Sequence, residues 1–257
     1  MTTSGTFRSK HYSEGATVVT RHVLVTGGSG GIGQAVARRF TDAGDRVVIT
    51  ARHAAPLAAT AAEIGAVGVV CDVTDPDQVA ALAEQLPEHL DVLVNNAGGI
   101  RDLGSPGPTD LRSLAELWRA NLDTNLVSAV LVTEAVRDRL RPGGSVISLG
   151  SIGAERGAGP YGAAKAALAS WSVGLSADLG PRGITSNVIS PGYIEKTAFF
   201  GDRLTAERRE RLIAATHNGR PGNVEDIAET AYFLASPGGR HLTGQQLNVN
   251  GGAFVSR

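Results

Sequence analysis

Tyr161 and Lys165 stand four residues apart in GPYGAAKAAL (159–168), a stretch otherwise built of small residues. On a helix that spacing puts both side chains on one face, about one turn apart. An ammonium beside a phenol favours the phenolate. It therefore draws a group whose ordinary pKa is about 10 toward a range useful for acid–base work. A purely structural helix has no need of such a pair, so the elements around it decide whether it is chemistry or accident.

A second constellation is VTGGSGGIG (25–33), a glycine-rich turn between a β-rich run and a helical pattern. Gly28, Gly30 and Gly33 fit G-x-G-x-x-G, while Gly27, Gly31 and Gly33 fit T-G-x-x-x-G-x-G. In that setting backbone N–H groups approach a pyrophosphate, and the helix N-terminus supplies favourable partial charge. The second β-rich run continues as VVITARH, with Ala51 where an NAD site offers a carboxylate to the ribose, followed by Arg52. An arginine can grip a 2′-phosphate in bidentate fashion, so NADP(H) is expected over NAD(H). Asp72 in CDVTD is placed to meet an adenine ring, and the small residues of NNAGG (95–99) let a nucleotide pass near the backbone. Asn95 is expected to bind the loops together. Taken singly, each of these two is equally well ordinary loop chemistry.

Strands are expected at 22–26, 46–50, 67–71, 91–95, 145–149, 184–189 and 246–250, most of them Val/Ile-rich and apolar on both faces. Helical patterns fall at about 31–43, 54–64, 75–86, 110–139, 160–180 and 224–235. The alternation predicts an α/β fold, a doubly wound parallel sheet of about seven strands with helices on both faces. Residues 21–257 read as one domain and 1–20 as a mobile leader. An insertion at 191–222 with a short helix over 204–216 leaves a strand's carboxyl end and is expected to act as a substrate lid. The formal net charge of −1 argues against nucleic-acid and anionic-membrane partners, and the lone Cys71 against an intrachain disulfide. No uninterrupted apolar run reaches a membrane span, and no residue is assigned to a metal. A soluble cytoplasmic protein is expected.

With these residues in hand, the chain resembles the short-chain dehydrogenase/reductase family from about residue 21 to 252. TGGSGGIG, CDVTD, NNAG, NLVSAVLVT, SLGS, YGAAK, NVISPG and LTGQQLNVNGG occur in the family's order. The resemblance implies a Rossmann-type domain that oxidises alcohols or reduces carbonyls with NAD(P)(H). Its catalytic tetrad falls on Asn125, Ser151, Tyr161 and Lys165. Tyr161 would be the general acid, Ser151 a hydrogen-bond donor to the substrate oxygen, and Lys165 the holder of the nicotinamide ribose that also lowers the phenol's pKa. Asn125 would hold a water that resupplies the proton. Cofactor contacts are implied at Gly27, Ser29, Gly30, Gly31, Ile32, Gly33, Arg52, Asp72, Val73, Asn95, Ala97, Gly98, Tyr161, Lys165, Pro191, Gly192, Ile194 and Thr197. A homotetramer or homodimer, pairing the helices around 110–139 and 160–180, is implied too.

Three departures stand out. Ser151 and Tyr161 are ten residues apart where about thirteen is usual, so one pocket wall is expected to be reduced. Thr197 comes one residue later after Pro191-Gly192 than the family pattern. Asn250 replaces a frequent aspartate before the final glycines. Within the family the chain most resembles bacterial 3-oxoacyl-acyl-carrier-protein reductases, which implies a ketone substrate, carried on an acidic protein if Arg141 and Arg182 serve as its basic contacts. Arg141 equally suits a helix end. Phe199 and Phe200 either line an apolar pocket or anchor the lid. Alternatives are a dehydrogenase of a sugar, polyol, steroid or secondary-metabolite alcohol, and a catalytically silent NADP-binding sensor.

Overall fold

The computed structural model describes residues 20–101 and 107–256, so the expected leader, apart from Thr20, lies outside the described residues. The strands are β1 (His22–Thr26), β2 (Arg46–Ala51), β3 (Val67–Val70), β4 (Leu90–Asn95), β5 (Leu140–Leu149), β6 (Thr185–Pro191) and β7 (Gln246–Val249). They form one sheet in the order β3-β2-β1-β4-β5-β6-β7, every pairing parallel. The helices are α1 (Gly31–Asp42), α2 (Ala54–Ile64), α3 (Pro76–Gln85), α4 (Leu111–Leu122), α5 (Ser128–Val136), α6 (Gly159–Leu179), α7 (Ala206–Ala214) and α8 (Val224–Leu234).

Strand side chains alternate between two helix layers. Val23, Val25, Ile49, Ile147 and Ile189 pack with Phe40 of α1 and Ile227 of α8 on one face. Leu24, Leu93 and Val146 pack with Val132 of α5 and Leu175 of α6 on the other. Both faces being covered explains the continuous apolar runs. The edge strand β3 is the exception: Val67 and Val70 are exposed because only one neighbour flanks it. Among the described residues, no helix is long and apolar enough to cross a membrane.

Two elements differ from expectation. β5 begins at Leu140 rather than Ser145, because its pairing with β4 resumes after an irregularity between Leu90 and Val92. The single helix expected over 110–139 is α4, a π-helical turn at Asp123–Val127, α5 and a short 3₁₀ turn at Arg137–Arg139. The wide turn has a local cause: Asn125 Nδ2 donates to the carbonyl of Asn121 (3.0 Å), inserting a side chain into the helical ladder. α4 starts on a capping box in which Asp110 accepts from the Ser113 amide. In the insertion, a 3₁₀ segment (Ala198–Arg203) precedes α7, whose N-cap Thr205 accepts from the Arg208 amide.

Candidate active site

Strand order reverses between β1 and β4, and their carboxyl ends open onto a two-lobed cleft, the place where open α/β sheets bind ligands. The larger lobe, about 550 Å³, is lined by the glycine loop, Asn96–Ile100, Leu149–Ser151, Tyr161, Lys165, Pro191, Gly192, Ile194 and Thr197–Phe199. The smaller, about 240 Å³, is lined by Ser29, Thr50–His53, Cys71–Thr74, Arg101 and Thr124. Gly27, Ala97 and Gly98 belong to both, so one elongated ligand can run through the two.

The glycine loop fits a pyrophosphate. Gly27 and Gly31 have φ of 67 and 54, the left-handed region that glycine enters freely. A Cβ on Gly33 would stand 2.3 Å from the Gly27 carbonyl oxygen, so only glycine lets α1 pack against the loop. No side chain caps the N-terminus of α1, which leaves its first amides and its positive dipole end for an anion.

Asn95 is a correction. Its side chain is buried, donates to Thr133 Oγ1 (2.9 Å) and faces away from the cleft. Successive strand residues point to opposite faces, and the next residue takes the expected job. Asn96 Nδ2 donates to the carbonyls of Thr26 (2.9 Å) and Gly27 (3.0 Å), tying the β4 loop to the glycine loop. The doublet of asparagines in the sequence was the signal for it. Ile100 and Ala198, outside every quoted motif, also line the cleft, as do Leu149 and Gly150 of SLGS.

The ends of β5 and α6 bring Ser151, Tyr161 and Lys165 together at the floor of the larger lobe. Lys165 is 4% exposed; its Nζ donates to the Leu149 carbonyl (2.7 Å) and lies 6.0 Å from the Tyr161 ring centroid. Burial pulls the Lys165 ammonium down to about 8. Burial pushes the Tyr161 phenol up to about 12, against the opposite pull of its hydrogen bond with Ser151. For the phenol, withdrawal from water outweighs the lowering pull of Ser151, and the same withdrawal draws Lys165 down. Ser151 Oγ also accepts from the Gly153 amide (3.0 Å). Asn125 Oδ1 accepts from the Gly99 amide and its Nδ2 donates to the Gly99 carbonyl, both at 2.9 Å, so this side chain pins the loop bordering the cleft.

The short loop after Ser151 is held from the far end of the chain. Gln246 Nε2 donates to Glu155 Oε1 (3.2 Å), and Arg156 donates to the Ala253 carbonyl. Asn250 does hydrogen-bond at its turn, accepting from the Gly252 amide (3.0 Å). Phe199 stacks on Tyr161 with ring centroids 5.8 Å apart and tilted by 60°, so it belongs to the pocket. The Phe200 side chain lies outside the described residues.

In the smaller lobe Arg52 and His53 are exposed, and Arg101 joins them from the β4 loop. Asp72 sits below the usual carboxylate range: burial raises it, but hydrogen bonds from Thr74 and the charge of Arg52 outweigh that. Cys71, buried beside Asp72 and Asp75, is pushed up to about 11 by burial and these charges. Arg141 and Arg182 do not reach the cleft mouth. They lie by the amino ends of β5 and β6, where Arg182 donates to the carbonyls of Arg137 (3.0 Å) and Leu140 and Arg141 meets Asp91 at 3.8 Å. Among the described residues, no group of three or more His, Cys, Asp or Glu could hold a metal.

A doubly wound sheet with a glycine loop over its switch point defines a dinucleotide-binding α/β protein, and comparison with known proteins narrows the class. A family model described as enoyl-(acyl carrier protein) reductase matches residues 27–253. The chain is 36% identical over 233 residues to a putative oxidoreductase of Mycobacterium tuberculosis, covering 91% of this chain and 98% of that one. It is 35% identical to the 3-oxoacyl-acyl-carrier-protein reductase of Escherichia coli, covering 90% and 96%. A short-chain dehydrogenase from Burkholderia cenocepacia, solved in complex with NADP, superposes with a TM-score of 0.81 at 34% identity over 91% of this chain and 97% of that one. The chain belongs to the short-chain dehydrogenase/reductase family and is an NAD(P)-dependent oxidoreductase.

Proposed function

We propose that the protein reduces an uncharged ketone to a secondary alcohol with NADPH, Tyr161 acting as general acid. The observation that carries this is the convergence of buried Tyr161 and Lys165 with half-buried Ser151 in the cleft. The cofactor supplies hydride to the carbonyl carbon. Ser151 donates to the carbonyl oxygen and orients it, and the Tyr161 O–H passes its proton to that oxygen as negative charge develops there. A phenol at about 12 is protonated at neutral pH. It is still a stronger acid than an aliphatic alcohol, so the transfer to the developing alkoxide runs downhill. Lys165 would hold the nicotinamide ribose hydroxyls, and the bonds of Asn125 to Gly99 support the wall beside them.

Arg52, with Ala51 in place of an acid, supports a 2′-phosphate and hence NADPH. Ile100, Ala198 and Phe199 face the larger lobe, and Lys165 is the one charged side chain lining it among the described residues. That lining supports an apolar ketone such as a 3-oxoacyl thioester over a sugar or polyol, whose hydroxyls would need partners. The positions of Arg141 and Arg182 lend no support to a carrier protein docking through them. Leu111, Leu114 and Trp118 are exposed along one face of α4, which supports a second copy of the chain packing there. Sedimentation of Trp118→Asp is expected to show a smaller assembly than the parent.

The test is NADPH consumption against a small 3-oxoacyl thioester, a cyclic ketone and a ketose, with Tyr161→Phe as control. The thioester or the cyclic ketone should turn over and the ketose should not. Tyr161→Phe should lose at least about a thousandfold in turnover while NADPH affinity changes less than about twofold. Activity of that variant near the parent's would sink the proposal.

A further inference from the structure

The extra residue before Thr197 has a visible fate. Lys196 has φ 56, and among the described residues it is the one non-glycine side chain in the left-handed region. Such a conformation persists only where the surroundings over-determine it, and it collects at functional sites.

The backbone is fixed on both sides of Lys196. Upstream, Gly222 N donates to the Tyr193 carbonyl and Glu195 N to the Gly222 carbonyl, both at 2.9 Å, with Ile194 bridging Gly222. Arg209 holds Glu195 through an ion pair at 3.1 Å. Downstream, Thr197 is extended, with φ −111 and ψ 153. Its Oγ1 donates back to the Ile194 carbonyl (3.2 Å), and its Cγ2 lies 3.8 Å from where a Cβ on Gly31 would stand. Thr197 thus faces the glycine loop across the larger lobe. An extended Lys196 would carry the chain onward from the Gly222 bridge; a left-handed one folds it back. The Lys196 side chain itself is exposed, so the effect is the backbone's.

We infer that Lys196 is a positioning residue: its left-handed backbone takes up the extra residue and returns Thr197 to the wall of the larger lobe, facing the glycine loop. This rests on the reading above that a dinucleotide occupies both lobes with its nicotinamide toward Tyr161.

The experiment measures dissociation constants of NADPH and of adenosine 2′,5′-bisphosphate, which fills only the adenosine lobe, for the parent, Lys196→Gly, Lys196→Val, Thr197→Ala and the Val/Ala double variant. Glycine keeps the conformation, so Lys196→Gly should hold NADPH within about twofold of the parent. A β-branched residue resists it, so Lys196→Val should weaken NADPH about tenfold while the bisphosphate changes less than about twofold. On the Thr197→Ala background the valine should cost no more than about a further twofold, since it acts through Thr197. The inference is overturned if Lys196→Val binds like the parent, if it loses both ligands equally, if Lys196→Gly is as weak as Lys196→Val, or if the double variant is additive. A parent that binds the bisphosphate but not NADPH contradicts the functional reading instead.

Discussion

Two glycines three residues apart in the phosphate loop should respond oppositely to the same substitution. Gly33 is buried at the start of α1, and an added Cβ would stand 2.3 Å from the Gly27 carbonyl oxygen and 2.4 Å from Asn96 Nδ2. Neither atom is free to yield, since one is backbone and the other is the amide that already joins two loops. Overpacking of this kind costs about 1–3 kcal/mol, and contact with fixed atoms puts Gly33→Ala near the upper figure. Alanine recovers about 1 kcal/mol in helix propensity, leaving a net loss of about 2 kcal/mol. For a chain of this length that lowers Tm by about 4–8 °C. Gly30 is the contrast: its φ of 175 is ordinary extended backbone, and nothing lies within 4 Å of an added Cβ. Gly30→Ala should therefore melt within about 1 °C of the parent, yet its methyl projects into the cleft and should weaken NADPH at least about tenfold. Differential scanning calorimetry and NADPH fluorescence titration read the two effects separately. A Gly30 variant that binds NADPH like the parent, or a Gly33 variant that melts like it, would refute this reading of the loop.

Arg52→Ala should weaken NADPH about tenfold to a hundredfold, the worth of a charge-assisted contact, and NADH by less than about threefold; equal losses in titration would remove the 2′-phosphate assignment. Lys165 titrates at about 8 when folded and 10.5 ordinarily, so the unfolded chain holds the extra proton between those values and this group makes stability rise with pH across that window. Tyr161, at about 12 against 10, has the opposite sign, its contribution being lost as pH rises from 10 to 12. Melting curves from pH 7.5 to 10 should show the parent gaining stability relative to Lys165→Met as pH rises, and a constant offset would contradict the lysine's depressed value. Asn125→Ala removes both bonds to Gly99 and the one to Asn121 and should lower Tm by about 6–12 °C at about 1 kcal/mol per bond, which calorimetry checks directly.

The glycine loop, the Tyr161–Lys165 pair and most strand positions were readable because each depends on short-range spacing and on runs of one residue type. What was not readable depends on distant partners. Asn125 pins its loop by meeting Gly99, 26 residues earlier. Asn95 and Asn96 are alike in type and differ only in the face that the end of β4 gives them. For the Tyr161–Lys165 pair, spacing shows the neighbouring cation but not how completely both groups are withdrawn from water. Arg182 looked like a surface cation until its carbonyl partners, 45 and 42 residues away, were in view. Lys196 stood in the sequence as a mismatch of one, with no sign of the backbone that reconciles it.

The widened turn at Asp123–Val127 also changes what the rod on either side of it can touch. Each residue of a helix advances its azimuth by about 100°, so an interruption here resets the phase between the two halves. The front half lies along α6 and the rear half along α3, giving one rod two allegiances. Excising a single residue at this point would restore a regular spiral and swing one half off its neighbour. Grafts between relatives should therefore carry the whole rod, from Asp110 to Arg139, as one piece.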